Sequence, residues 1–304
     1  MTKELKLPPA GVPWRFGKLI ATGGEGQIRE VAGYPDLLAK IFINQSPTEL
    51  AEKERKLVAM IGMNTLAGHS RLAWPLRRFN IQGKCGGYLM KRVEGISLVP
   101  LSAEVARKAY LPNWTPAHTT RAVHDIASLC ATLESHGIFL VDVSLTNFLV
   151  RSSDGSVSII DTDSLQVTSG REIFGATVFT PDFAAPEILR HPEHLGCIGS
   201  EQARFTIALL FFQLFAQGSP YQVFENRDLD PSQQIQSGRH FLGGRGVATG
   251  TTTPALFSRY LGVPRRIAAL CKKAFIDGHH TPAARPTFQT WADAAKAHYH
   301  ELRG

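Results

Sequence analysis

The chain has 304 residues, 43% apolar and 19% charged, a balance that excludes a disordered chain and supplies core for one large domain or two lobes. Its +7 formal charge comes without a long Lys/Arg run or an aromatic-basic module. Nucleic acid is therefore not an expected partner, and a site for anionic phosphates is the simpler reading. The longest apolar stretch, Ile207 to Ala216, has ten residues and includes Gln213, about half of what spans a bilayer, so no membrane segment is expected.

MTKELKLPPAGVPW at the N-terminus has no apolar leader core, and Cys85, Cys130, Cys197 and Cys271 are scattered without a CxxC pair. Reduced thiols in a cytoplasmic protein are expected. Residues 18–40 place short apolar runs around ATGGEGQ and end in LLAKIFI, which predicts strand, glycine turn, strand. Residues 47–60 carry Leu50, Leu57 and Val58, with Ile61 next, in a charged background; this predicts an amphipathic helix with Pro47 near its start. Strand signals broken by Gly83, Gly86 and Gly87 fill 72–93. A helix is expected over 119–136, with Val123, Ile126, Ala127, Cys130 and Leu133 on one face and Gly137 as its stop. Further helices are expected over 204–217, 264–275 and 287–302, and a glycine- and threonine-rich loop over 238–253.

The segment 135–163, SHGIFLVDVSLTNFLVRSSDGSVSIIDTD, carries the chemistry. Two short apolar runs separated by a turn hold Asp142, Asn147 five residues later, and Asp161 fourteen beyond that. A carboxylate to orient a hydroxyl, with an amide and a second carboxylate as hard oxygen ligands, suits a magnesium-bound triphosphate.

In chain order, ATGGEGQI at 21–28, Lys40, a Glu on the next helix, Asp142 with Asn147, Asp161, Ala185-Pro186-Glu187 and Arg285 resemble the motifs of eukaryotic-like protein kinases over nearly the whole chain. The strings YLMKRVEGISL, VDVSLTNFLV, IIDTDSLQV, FTPDFAAPEIL and AFIDGHHTPAARPTFQTW further resemble a bacterial subgroup, the atypical Ser/Thr kinases associated with helix-hairpin-helix modules. Members of that subgroup occur beside a von Willebrand A protein and a PP2C-type phosphatase in tellurite-resistance-like triads. The resemblance implies an α+β, bilobal protein-kinase-like fold: a small antiparallel β-rich lobe with one helix at 14–93, and a larger, mainly helical lobe at 94–303. It also implies ATP with Mg2+ (or Mn2+) as cofactors and Ser/Thr phosphorylation of the chain itself or a protein partner. A VWA-domain protein and a PP2C-type phosphatase are the partners it suggests.

Roles follow from the same resemblance. Gly23, Gly24 and Gly26 would let backbone N–H groups approach the phosphates, and Lys40 would contact the α/β-phosphates. A helix carboxylate would hold Lys40; Glu54 is the choice, beside the face of Leu57, Val58 and Ile61, with Glu52 the alternative. Ile28 and Leu149 would enclose the adenine, with Met90 as gatekeeper and the backbones of Lys91 and Val93 on its edge. Asp142 would act on the acceptor hydroxyl, Asn147 and Asp161 would hold the metal, and Asp163 would cap a turn or reach the metal. Thr180, seven residues before Glu187, would bring its hydroxyl to Asp142, and Glu187 with Arg285 would form a buried ion pair. Thr168, Ser169 and Thr177 are candidate autophosphorylation sites in the activation segment, and His279-His280 reads as a solvated turn rather than a metal pair.

Departures from the pattern bear on regulation at 140–141 and on catalysis or nucleotide binding at Ser144, Ala203 and Leu38, the last two most directly. Leu140-Val141 replace His-Arg, Ser144 replaces a phosphate-binding Lys, Ala203 replaces an Asp that braces the catalytic loop, and Leu38 stands where a small residue roofs adenine. The alternative is a pseudokinase-type scaffold or nucleotide-binding switch; a small-molecule phosphotransferase is disfavoured by the complete TPDFAAPE segment.

Overall fold

The computed structural model describes residues 5–10, 12–176, 179–243 and 248–304. They form an α+β protein of two compact units, 1–94 with 159–163, and 95–158 with 164–304.

The first unit contains β1 (Phe16–Thr22), β2 (Gly26–Val31), β3 (Tyr34–Phe42), α1 (Pro47–Ile61), α2 (Asn64–Ala67), β4 (Pro75–Ile81) and β5 (Lys84–Lys91). Its strands make one antiparallel sheet in the order β1-β2-β3-β5-β4. Strand β3 is apolar on both sides because both are covered. Leu37 and Ala39 pack with Leu5, Leu7 and Trp14, while Leu38 and Phe42 face Leu57 of α1 and Met90 of β5. Lys40 points to that second side, a charge among apolar residues. Helix α1 starts at Ser46, which forms a reciprocal capping box with Glu49, and Pro47 occupies the first turn. The fully buried Trp74 donates its indole N–H to the Met60 carbonyl at 2.9 Å, tying down the end of α1.

Residues 159–163, expected in the helical part, cluster with the first unit instead. Ile159 bridges Leu72, donates to the Arg71 carbonyl at 2.9 Å and accepts from the Ala73 amide at 3.0 Å. The Thr162 hydroxyl closes the weld on the Ala73 carbonyl at 2.9 Å. These long-range bonds have no local sequence signature.

The second unit contains β6 (Ile96–Ser97), α3 (Glu104–Tyr110), α4 (Pro116–Glu134), β7 (Ile138–Phe139), β8 (Phe148–Val150) and β9 (Val157–Ile159, its last residue in the first unit). It continues with β10 (Gln166–Ser169), β11 (Glu172–Phe174), α5 (Pro186–Arg190), α6 (Ser200–Ala216), α7 (Pro231–Ser237), α8 (Pro254–Leu261) and α9 (Arg265–Lys272). A π-turn over Lys273–Asp277 leads into α10 (Gly278–His280), and α11 (Phe288–Glu301) packs along α4. The apolar run of 207–216 is the C-terminal part of α6, buried nearly all round, its Phe211 and Phe212 included. No helix among the described residues is long and apolar enough to cross a membrane.

Thr168 and Ser169 lie in β10, paired with β11 through a two-residue turn that opens with Gly170 at φ +61°, so these two candidate sites belong to a hairpin; Thr177 lies outside the described residues. His279 is buried rather than solvated, its Nδ1 3.0 Å from the Tyr221 hydroxyl, and burial with the nearby positive groups lowers its pKa to about 4.

Candidate active site

In the first unit, the site is built around Lys40. Cross-strand pairing sets Lys40 of β3 directly opposite Tyr88 of β5 and opposite Ile28 of β2, so the three side chains share one face. Close approach of backbone makes room for the lysine. A Cβ at Gly26 would lie 3.1 Å from the Lys40 Cε, and one at Gly87, where φ is +145°, would lie 1.9 Å from the Lys40 carbonyl. Glycine at 26 thus serves the lysine stem, while Gly23 and Gly24 form the exposed turn, with the Gly23 amide donating to the Gly26 carbonyl at 2.9 Å.

The Lys40 ammonium ion-pairs with Asp161 and with Asp163, the latter at 2.7 Å, and the buried Tyr88 hydroxyl donates to the same Asp163 oxygen at 2.6 Å. Burial alone would lower the Lys40 pKa; the charges of Asp163 and Asp161 outweigh it and hold the ammonium above its ordinary range. Burial would likewise raise Asp163, but Lys40 and the Tyr88 hydroxyl keep that carboxyl well below the usual range. Asp161 is the more accessible of the two, its side chain 40% exposed, and its φ of +60° bends the chain so that 162–164 turn Asp163 back beneath the lysine.

Glu54 does not meet Lys40. It pairs with Arg78 at 2.9 Å on the surface side of α1. The expected face was misread because Val58 is 56% exposed; the inward residues are Lys56, Leu57 and Met60. Glu52 is exposed as well. The residue that α1 turns inward is thus a lysine, whose pKa burial lowers to about 8, with Asp163 the main opposing charge and Lys53 and Lys40 adding to the shift.

This buried cation has a measurable consequence. Below about pH 8, Lys56 is charged in both the folded and unfolded states, and the folded state carries the full burial cost; between pH 8 and its ordinary 10.5 only the unfolded state holds the proton, so stability rises with pH. Lys56→Met should therefore raise unfolding free energy at pH 7 by about 1–3 kcal/mol. The gain should shrink toward pH 10 in paired urea titrations.

The residues of this unit expected to enclose an adenine lie together: Ile28, Leu38, Met90 and Val93 share the apolar cluster beside Lys40, while Lys91 ends β5 opposite Leu37.

In the second unit, Asp142 follows β7 and Asn147 ends a short 3-10 turn (Leu145–Asn147) before β8, where Leu149 pairs with Ser97. The Asn147 amide donates to the Asp142 carbonyl at 2.9 Å, fixing the loop between them. Ser144 caps that turn, its oxygen accepting from the Thr146 amide at 3.3 Å. Thr180 Oγ1 donates to Asp142 Oδ1 at 2.7 Å, so the structure brings this hydroxyl and this carboxylate together. Glu187 and Arg285 also meet, in a two-pronged contact of 2.6 and 2.9 Å. Leu140, Val141 and Ala203 line one small cavity with Phe179, Ile198, Gln202 and Thr206.

The chain matches no family model. It is similar to "Protein kinase YegI" of Escherichia coli (strain K12), 25% identical over 296 residues that cover 95% of this chain and 45% of the relative. A second relative of the same name, from Escherichia coli O157:H7, is 26% identical over 286 residues, 91% of this chain and 44% of the relative. These likenesses support a protein-kinase-like family. The chain spans less than half the length of either relative. A kinase-like family implies ATP and a divalent metal in general, and the two-unit α+β architecture is compatible with a kinase-like bilobal fold.

Sequence reasoning gave Asp163 a turn-capping or metal role rather than its contact with Lys40, and missed Tyr88, Lys56 and the close approach at Gly87. Only Asp163 carried a signal, as the second carboxylate of Asp161-Thr162-Asp163.

Proposed function

We propose that this chain is a protein kinase that transfers the γ-phosphate of ATP, with Mg2+ or Mn2+, to Ser/Thr hydroxyls on itself or a protein partner. The observation that carries the reading is the Thr180 hydroxyl held on the Asp142 carboxylate, the pairing an acceptor-aligning aspartate requires. Asp142 would orient the acceptor hydroxyl and receive its proton as the O–P bond forms. Lys40 would neutralise phosphate charge, and the turn of Gly23 and Gly24 would offer backbone N–H donors.

The donor chemistry fits a hard cation, which takes few protein oxygens alongside phosphate. Asp161 is partly accessible, and Asn147 commits its amide nitrogen to the Asp142 carbonyl while its Oδ1 accepts only a long bond from Thr146 Oγ1 at 3.3 Å, so each carries an oxygen that could ligate. A metal held by such oxygens would supply charge neutralisation for the transferred phosphoryl group. A cytoplasmic setting and partners of the VWA and PP2C-phosphatase type belong to the same proposal. The turn-capping role of Ser144, which leaves that position without a cation, favours a second reading as a nucleotide-binding scaffold.

Incubation with radiolabelled ATP and Mg2+ decides between them. The parent should incorporate phosphate, and Asp142→Ala should lose about 100-fold or more in rate. The variant should keep the thermal stabilisation by ATP. Equal incorporation by the two would remove Asp142 from its role; ATP stabilisation without incorporation by either would favour the scaffold.

A further inference from the structure

We propose that Asp163, braced by the Tyr88 hydroxyl, is the residue that positions Lys40, and that α1 supplies no carboxylate to this lysine. The inference rests on the kinase reading for what Lys40 does, but on geometry for what holds it.

The carboxylates of α1 are all placed elsewhere. Glu49 closes the capping box on Ser46, Glu52 is exposed, and Glu54 pairs with Arg78. The inward helical position that could have held an acid holds Lys56. Asp163 then provides the anion this buried cluster needs, and every element around it is fixed. Tyr88 and Lys40 are cross-strand neighbours that reach one oxygen of Asp163, and the turn carrying Asp163 is welded to 71–73 through Ile159 and Thr162. Lys40 pairs with both Asp161 and Asp163, and Lys56 lies in the field of Asp163, so the carboxylates that answer these buried lysines come from 161–163 and not from Glu54. The lysine anchor is thus part of the sheet and its welded segment, and a displacement of α1 would leave it in place.

The test follows the Lys40 ammonium by NMR in protein labelled with nitrogen-15 lysine, its resonance assigned by its loss in Lys40→Arg. Asp163→Asn and the milder Tyr88→Phe should each speed exchange of the ammonium hydrogens, by about tenfold for Asp163→Asn, while Glu54→Gln leaves exchange unchanged. In phosphotransfer assays Asp163→Asn should lower kcat by about tenfold or more with the KM for ATP within about threefold, the split expected when a transition-state contact is misplaced. Faster exchange in Glu54→Gln with none in Asp163→Asn or Tyr88→Phe would overturn the proposal. If Asp163→Asn fails to fold, Tyr88→Phe, which keeps the carboxylate, decides it. A parent that transfers no phosphate yet shows the exchange pattern would sink the kinase reading and leave the anchor standing.

Discussion

Arg285→Met should lower the unfolding free energy by about 3–5 kcal/mol in urea titration. The Arg285 side chain is fully buried, and each prong of its guanidinium is used: both Glu187 oxygens, the Glu201 carbonyl at 2.8 Å, and the Gly278 carbonyl at 2.8 Å through Nε. The Phe205 ring lies against it, 4.9 Å from centroid to Cζ. Removing the arginine leaves Glu187 without its cation and two carbonyls without their donor, so the desolvation already incurred is no longer offset. Arg285→Lys should not rescue, because a single ammonium cannot reproduce the planar fork. The pair Arg78–Glu54, at 2.9 Å with side chains 39% and 36% exposed, is the contrast; its removal should cost about 1 kcal/mol or less.

The same variant changes the acid limb. Burial would raise the Glu187 carboxyl, but Arg285 holds it below its ordinary value near 4.5. The stability this contributes is present above pH 4.5 and is lost as pH falls through the lower, folded value. Arg285→Met should lack that part of the slope.

Lys40→Met should cost a similar 3–5 kcal/mol or so at pH 7, for the opposite reason: it strands two carboxylates, Asp161 and Asp163, around a missing cation. With Lys40 gone, Asp163 keeps the Tyr88 hydroxyl but loses its main counter-charge, and burial should raise its carboxyl above the unfolded value in the variant. The lost stability should therefore partly return as pH is lowered through that raised value, a reversal of the parent's behaviour. ATP should give this variant no thermal stabilisation, whereas Asp142→Ala keeps it. Chemical denaturation at pH 7 and pH 5, with thermal shifts at pH 7, checks all three expectations.

What the sequence disclosed follows a physical division. Local patterns located α1, α4, α6 and α11 within a few residues, because caps and 3.6-residue periodicity are written in neighbouring positions. Motif order also identified Asp142, Asn147, Asp161 and Thr180 as candidates before any coordinates. What failed depended on distant partners. Lys56 reads as solvent-facing in any periodicity count, yet its charge faces Asp163, more than a hundred positions later. Val58 looks like core and is not, because α1 turns Lys56, Leu57 and Met60 inward and leaves Val58 56% exposed. Tyr88 could not be matched with Lys40 until the β3–β5 register was known. The β10–β11 hairpin was legible, in alternating residues around Ser169-Gly170-Arg171, but the resemblance to an activation segment drew the reading away from it.

The small cavity lined by Leu140, Val141 and Ala203, with Gln202 and Thr206 also on its wall, restricts what can be introduced there. An aspartate placed at 203 alone would set a charge where Ala203 is buried beside Leu140, Val141 and Ile198, and an arginine placed at 141 alone would meet no carboxylate among the lining residues. Each single exchange therefore carries the desolvation cost of a charge without its counter-ion; only a joint exchange would set charge against charge in the same space.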